Sequence, residues 1–144
     1  MKNYALDVGR ILLSIIFLGS AATKIADPAG TQAYMAAYGL PLTDLLLVGA
    51  IATETVGGLA LLLGLKARLA GVVLTGFLTF ATLVFHTNLG DQQQLLHFLK
   101  NVAIIGGLVV VMAEGTGPLS LDGEEAPAGQ ERAPEQAAPA STRA

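Results

Sequence analysis

Four stretches of about twenty residues, each nearly free of charge, constrain this chain more than any other feature. An α-helix rises 1.5 Å per residue, so about 20 mostly apolar residues cross the ~30 Å hydrocarbon core of a bilayer. The first stretch, 5–26, has a charge-free centre from Ile11 to Thr23, with Arg10 and Lys24 near its ends. The second, 42–65, is interrupted by Asp44 at its entrance and Glu54 near its middle. The third, 67–89, carries no formal charge from Leu69 to Leu89. The fourth, 95–113, starts polar with His97, Lys100 and Asn101, then runs apolar from Val102 to Ala113. The expected fold is all-α, a membrane-embedded four-helix bundle over residues 1–122.

Composition supports the same class. Apolar residues make up 53% of the chain and charged residues 13%, where soluble domains carry about 25%. The mean hydropathy is +0.61. The rival is a soluble helical bundle, whose helices present a polar stripe to water. Leu69–Phe85 offers only threonines and glycines where that stripe belongs.

Charge is unevenly spread. Residues 1–113 hold six basic and five acidic side chains, whereas residues 114–144 hold two and six. Residues 123–144, rich in Ala, Pro, Glu and Gln, bury too little apolar surface to offset ordering a backbone and are expected to be disordered. At their root, Gly117 to Asp122 is expected along the membrane surface. The chain has no cysteine, which excludes a disulfide framework, a Cys-ligated cluster and thiol-relay chemistry. Nothing forms a basic stripe of the kind that binds nucleic acid.

The connections fit four crossings. Asp27-Pro28-Ala29-Gly30 and Tyr38-Gly39-Leu40-Pro41 break the chain around a short stretch, Thr31 to Tyr38, expected as an interfacial helix with two tyrosines at headgroup level. Lys66 and Arg68 occupy the second connection, and Lys2 and Arg10 lie near the amino terminus; the other connections contribute Asp27, Asp44 and Asp91. Short loops rich in Lys and Arg stay in the cytoplasm, which places both termini there in a bacterial inner membrane. Lys2, the apolar run and Ser20-Ala21-Ala22 imitate a cleavable secretory signal. The run continues into Lys24, so it is read as the first span.

Charges inside a bilayer need a partner or a task. Glu54 lies roughly 15 Å beyond Asp44 along its helix, with Ala50, Gly57 and Gly58 as small neighbours on its face. It is expected to point into the bundle and pair with Lys100 or Arg10. Arg10, Ser14, Phe17, Ala21 and Lys24 share one face of the first helix, with Lys24 expected to snorkel toward headgroups. His97, Lys100 and Asn101 share a face of the fourth helix, and Thr75, Thr79, Thr82 and His86 form a stripe on the third. Two readings follow. In one, these charges only hold helices in register. In the other, Glu54, Lys100, Asn101, Arg10, Lys24, His86 and His97 surround a pocket for a polar head such as a quinone ring, with Glu54 handling protons. His86 and His97 lack any metal-site spacing, and no metal is assigned.

The ordered set of motifs resembles the DoxX family of small bacterial membrane proteins. Arg10 to Lys24 is similar to its opening, Gly39-Leu40-Pro41 to its first loop, and Glu54 to Leu69 to its central signature. Phe98 to Leu108 is similar to the start of its last helix and Gly117 to Asp122 to its end. The resemblance implies a four-helix membrane bundle associated with respiratory or redox systems, as a subunit of a quinol oxidase or a thiosulfate:quinone oxidoreductase in named members. The implied cofactor is a quinone, and the implied partners are the lipid bilayer and redox proteins. The absence of cysteine removes any thiol role, and the sequence contains no complete catalytic centre. An autonomous transporter is disfavoured because the chain has no repeated halves.

The orientation is checked by reporter fusions. Fusions after Lys66 and at the carboxyl end should read cytoplasmic, and a fusion at Asp91 external; a periplasmic carboxyl end would require an odd number of crossings.

Overall fold

The computed structural model describes residues 4–122, which form five helices. Helix α1 spans Tyr4–Ala26, α2 Pro28–Ala37, α3 Thr43–Leu63, α4 Ala67–Phe85 and α5 Gln92–Glu114. All but α2 are long and apolar enough to cross a membrane. The expected four-span all-α architecture is therefore what the chain adopts. Residues 123–144, expected as a disordered tail, lie outside the described residues.

Local chemistry sets the boundaries. Asp27 caps α2, its carboxylate accepting from Gly30 N at 2.9 Å, and Pro28 sits at the first turn where its missing N–H costs nothing. The short helix thus starts three residues before the expected Thr31. Gly64, at φ +68, ends α3 in the left-handed conformation that glycine adopts without a steric penalty. Asp91 caps α5 by accepting from Gln94 N at 3.0 Å, so this helix begins at Gln92 rather than Leu95. Helix α4 ends at Phe85, short of the expected Leu89, because the chain turns through Thr87–Asp91.

The four long helices run up and down in a ring. Helix α1 packs most closely on α3 and α4 on α5, with thinner seams where α3 meets α4 and α1 meets α5. Small residues permit the close approaches. A Cβ on Gly57 would fall 2.7 Å from Leu74 Cδ2, one on Gly58 2.9 Å from Leu18, and one on Gly71 2.8 Å from Met112 Cγ. Phe17, Leu61, Ala70, Leu74, Leu108 and Val111 form a solid core in the half of the bundle nearer Tyr4 and Asp122, the terminal half. A smaller cluster of Met35, Leu47 and Ala50 lies in the opposite, far half. Val8, Leu12, Ile15, Val56, Leu69 and Val72 are more than half exposed, an outward apolar surface that lipid satisfies and water does not.

A buried polar knot closes the terminal end. Asp7 and Arg10 are 0% and 1% exposed and pair at 3.1 Å. Arg10 Nη1 donates to the Leu61 carbonyl and, at 2.8 Å, to that of Leu62 at the end of α3. The Asp7 carboxylate accepts from Leu119 N, and a Cβ on Gly117 would fall 2.6 Å from it. Leu121 N donates to Leu63 O at 3.0 Å, and Asp122 accepts from Lys66 N. The segment after α5, expected along the membrane surface, is therefore pinned back onto the end of the bundle. The cause is Asp7, whose carboxylate needs more donors than Arg10 alone supplies.

Removing one side of such a pair strands a buried charge. Asp7→Ala or Arg10→Ala should each destabilise the bundle by about 3–5 kcal/mol. The double variant should lose clearly less than the sum, because the two share one network. Unfolding of the purified protein in mild detergent measures both; additive losses would show that the pair is not the lock described.

Candidate functional site

The far half of the bundle is hollow. A cavity of about 840 Å³ lies among all five helices. Phe17, Leu46, Ala50, Phe77, Leu78 and Ile104 give it apolar walls, and Ser20, Lys24, Glu54, His86, Lys100 and Asn101 supply polar groups. An apolar cavity with a few convergent polar groups is the ordinary form of a small-molecule site. Thr31, Tyr34 and Met35 of α2 line its far side. Leu45 of α3 and Phe80 of α4 also line it while being 67% and 53% exposed, so it reaches the lipid-facing surface along that seam.

Glu54, 4% exposed, pairs with Lys24 and not with Lys100 or Arg10 as expected. Its Oε1 accepts from Lys24 Nζ at 3.0 Å and from Ser20 Oγ at 2.9 Å. Lys24 Nζ also donates to Ser20 Oγ at 2.7 Å. Oε2 lies 2.9 Å from Nζ, within ion-pair reach but outside hydrogen-bonding geometry, and it has no hydrogen-bond partner. The geometry follows from side-chain direction. Helical side chains lean toward their own N-terminus. Lys24, near the far end of α1, therefore reaches one turn inward over Ser20, and Glu54 on antiparallel α3 leans outward to meet it. By the same rule Arg10 leans to the terminal end and Lys100 to the far end, both away from Glu54. Lys24 thus turns inward and does not snorkel.

Of the remaining candidates, His86, Lys100 and Asn101 line the cavity, and His97 lies exposed beside them. Asn101 Nδ2 donates to Thr82 Oγ1 at 2.9 Å, which fastens α5 to α4. Thr79 of the expected stripe instead faces outward. Lys100 is exposed and lies 3.4 Å from His97 Nδ1. The His97 and His86 rings stack at 4.9 Å and 19°, a face-to-face geometry that does not converge two nitrogens on one ion. His86 Nδ1 meets Gln94 Oε1 at 2.7 Å, and Gln94 Nε2 donates to Tyr38 OH at 3.3 Å. Tyr34 stacks on Phe85 at 5.3 Å and donates to Tyr38 OH at 3.4 Å. Burial, then the Tyr38 hydroxyl, pushes the Tyr34 phenol up to about 12, so it stays a neutral donor at ordinary pH. Arg10 alone among the candidates lies at the opposite end, in the Asp7 knot.

Two participants escaped the sequence reading. Ser20 bridges Lys24 and Glu54, and its position one turn before Lys24 on the same face was the available signal. Gln94 joins the histidine pair to α2, and only its place three residues before His97 hinted at that.

Comparison with known proteins agrees with this architecture. The DoxX family profile matches residues 5–87. Inner membrane protein YqjF of Escherichia coli is 39% identical over 122 residues, 85% of this chain and 92% of that protein. Inner membrane protein YphA of the same organism is 29% identical, over 80% of this chain and 86% of its own. ER-derived vesicles protein ERV29 of Saccharomyces cerevisiae is 27% identical over 84% of this chain but 34% of its own length. No solved structure matches the chain. With the family profile covering more than half of it and four helices fit to cross a membrane, this chain is an integral membrane protein that belongs to the DoxX family.

Proposed function

We propose that the far-half cavity binds a small amphipathic membrane molecule, quinone-like or lipid-like, and that the protein serves as a membrane subunit or accessory protein of a redox assembly. The observation that carries this is Glu54 Oε2, a buried carboxylate oxygen without a hydrogen-bond partner on the wall of an apolar cavity. A buried carboxylate oxygen held only by an ion-pair contact, 2.9 Å from Lys24 Nζ, still has a lone pair that a further donor can use. The hydroxyl of a reduced quinone or of a lipid head is such a donor, and the cavity walls suit its apolar body. The redox association rests on what membership of the family implies. Lys66 and Arg68 at the terminal end support a cytoplasmic location for both termini and an outward-facing cavity. The similarity to two inner membrane proteins supports the bacterial inner membrane as the site of action.

A second reading is favoured by one specific observation: Lys24 and Ser20 already satisfy Glu54 Oε1. On this view the pair only holds α1 against α3, and the protein is a non-catalytic structural or interaction partner.

Glu54→Gln separates the two. In either case it strands Lys24 and should destabilise the unliganded bundle by up to about 3–5 kcal/mol, with Lys24→Met restoring much of the loss. The folded Glu54→Gln/Lys24→Met protein is then compared with wild type for stabilisation by a short-chain quinol. At a hundred times its Kd such a ligand contributes about 2.7 kcal/mol. Wild type should gain this and the double variant should not; equal gains, or none in wild type, would leave the pair as purely structural.

A further inference from the structure

Lys100, exposed on α5, stands apart from the ion pairs of the described residues. No carboxylate of the described residues lies within ion-pair distance of it, although Asp7–Arg10 and Glu54–Lys24 are both paired. The acidic groups at its end of the bundle are engaged elsewhere: Asp27 and Asp91 cap helices, and Asp44 accepts from Gln32. Lys100 nevertheless sits on the cavity wall, about 12 Å along α5 from its first residue at 1.5 Å per residue. An unbalanced ammonium at the edge of a hydrocarbon layer is costly, and a counter-anion lowers that cost.

The hydrogen-bond network around it sets the available donors. Gln94 Nε2 points to Tyr38 OH, so its Oε1 receives a proton from His86 Nδ1. His97 Nδ1 faces the Lys100 ammonium and is therefore the acceptor, which puts the ring proton on Nε2. Lys100 keeps two N–H donors beyond the one shared with His97. The Lys100 ammonium thus keeps donors with no acceptor among the described residues, on the wall of an apolar cavity, while the His97 Nε2–H points away from it.

The geometry points to an anion subsite at this rim, in which Lys100, held by His97 Nδ1, takes the phosphate of an anionic membrane lipid while one acyl chain of that lipid enters the cavity. This subsite rests on the cavity being a ligand site, as proposed above, but not on Glu54 or on a quinol. Phosphate chemistry could equally be met by free phosphate, and the two sources differ in whether the apolar walls contribute.

The test uses the purified full-length protein in a neutral detergent, with thermal unfolding followed against added probe. The probes are dioctanoyl phosphatidylglycerol, dioctanoyl phosphatidylcholine and inorganic phosphate. The anionic lipid should raise the midpoint saturably, at a concentration at least about fivefold below that of the zwitterionic one, as one lysine near a charged surface supplies ~1 kcal/mol. Inorganic phosphate at the same concentration should leave the midpoint unmoved. Lys100→Met, an exposed position that the fold tolerates, should remove the preference between the two lipids, and Lys100→Arg should keep it. Equal affinity for both lipids, an unchanged preference in Lys100→Met, or a shift by phosphate alone would each overturn the proposal. A quinol that stabilises wild type while the lipid preference is missing would sink only this subsite. A Lys100-dependent lipid preference without any quinol effect would sink the quinol reading and leave the subsite standing.

Discussion

The Asp7–Arg10 pair sets the register on which the rest of the bundle depends. Arg10 is anchored to the carbonyls of Leu61 and Leu62, the exposed acceptors at the C-terminal end of α3, where a cation is also favoured by the helix dipole. That fixes α1 against α3 in one antiparallel alignment. Leu18 meets Gly58 and Ser20 meets Glu54 in the same alignment. A shift of one turn at Arg10 would carry Lys24 about 5.4 Å past Glu54 and leave two unpaired charges in the membrane. The knot at one end therefore determines whether the polar floor of the cavity exists at the other. It also recruits the segment after α5, because a carboxylate buried this completely still has lone pairs open after one arginine contact.

The two halves of the bundle differ in what fills them. The terminal half is built of leucines set against glycines and alanines, as at Gly57 with Leu74 and Gly71 with Met112. Such knobs leave no room for a ligand. Toward the far end the side chains between helices become Ser20, Ala50, Thr53 and Ala81, too short to meet across the same spacing. Larger side chains such as Phe17, Phe77 and Ile104 line this space without filling it. Tight packing at one end thus adjoins space at the other, and the tight half supports the precise placement that the polar groups of the open half require.

Much of this was legible in the sequence, and the misassigned ion-pair partners share one cause. The four spans followed from hydropathy, and the inward face of α1 from the spacing of Arg10, Ser14, Phe17 and Ala21, all of them buried. The burial of Glu54 followed from its small neighbours. Its partner did not, because sequence position gives the height of a Cα along a helix, whereas a long side chain ends a turn away from it. Lys100 and Glu54 looked level, yet antiparallel and parallel neighbours lean in different directions, and only Lys24 leans toward Glu54. Arg10 offers the same lesson, since its natural partner lay three residues before it at Asp7. The return of Gly117–Asp122 onto the bundle was invisible for a different reason: it depends on a donor deficit at Asp7, more than a hundred residues earlier, that no local pattern reports.

The route into the cavity decides what kind of molecule can use it. From the aqueous side the way is covered by α2 and its C-cap residue, where Tyr34 and Tyr38 both pack on Phe85 of α4 at ring distances of 5.3 and 5.1 Å. Gln94 ties Tyr38 to His86, so the cover is fastened to both α4 and α5 by contacts that close only when α2 lies in place. Toward lipid the walls are Leu45 and Phe80, which carry no hydrogen-bonding group and lose nothing when a hydrocarbon slides past them. A water-soluble solute would have to shed its hydration before meeting its first polar partner, while a molecule already dissolved in the bilayer would not. The seam therefore favours ligands that partition into the membrane first. On the proposed reading the polar groups would act second, on a head already desolvated, where each hydrogen bond counts for more than it would in water.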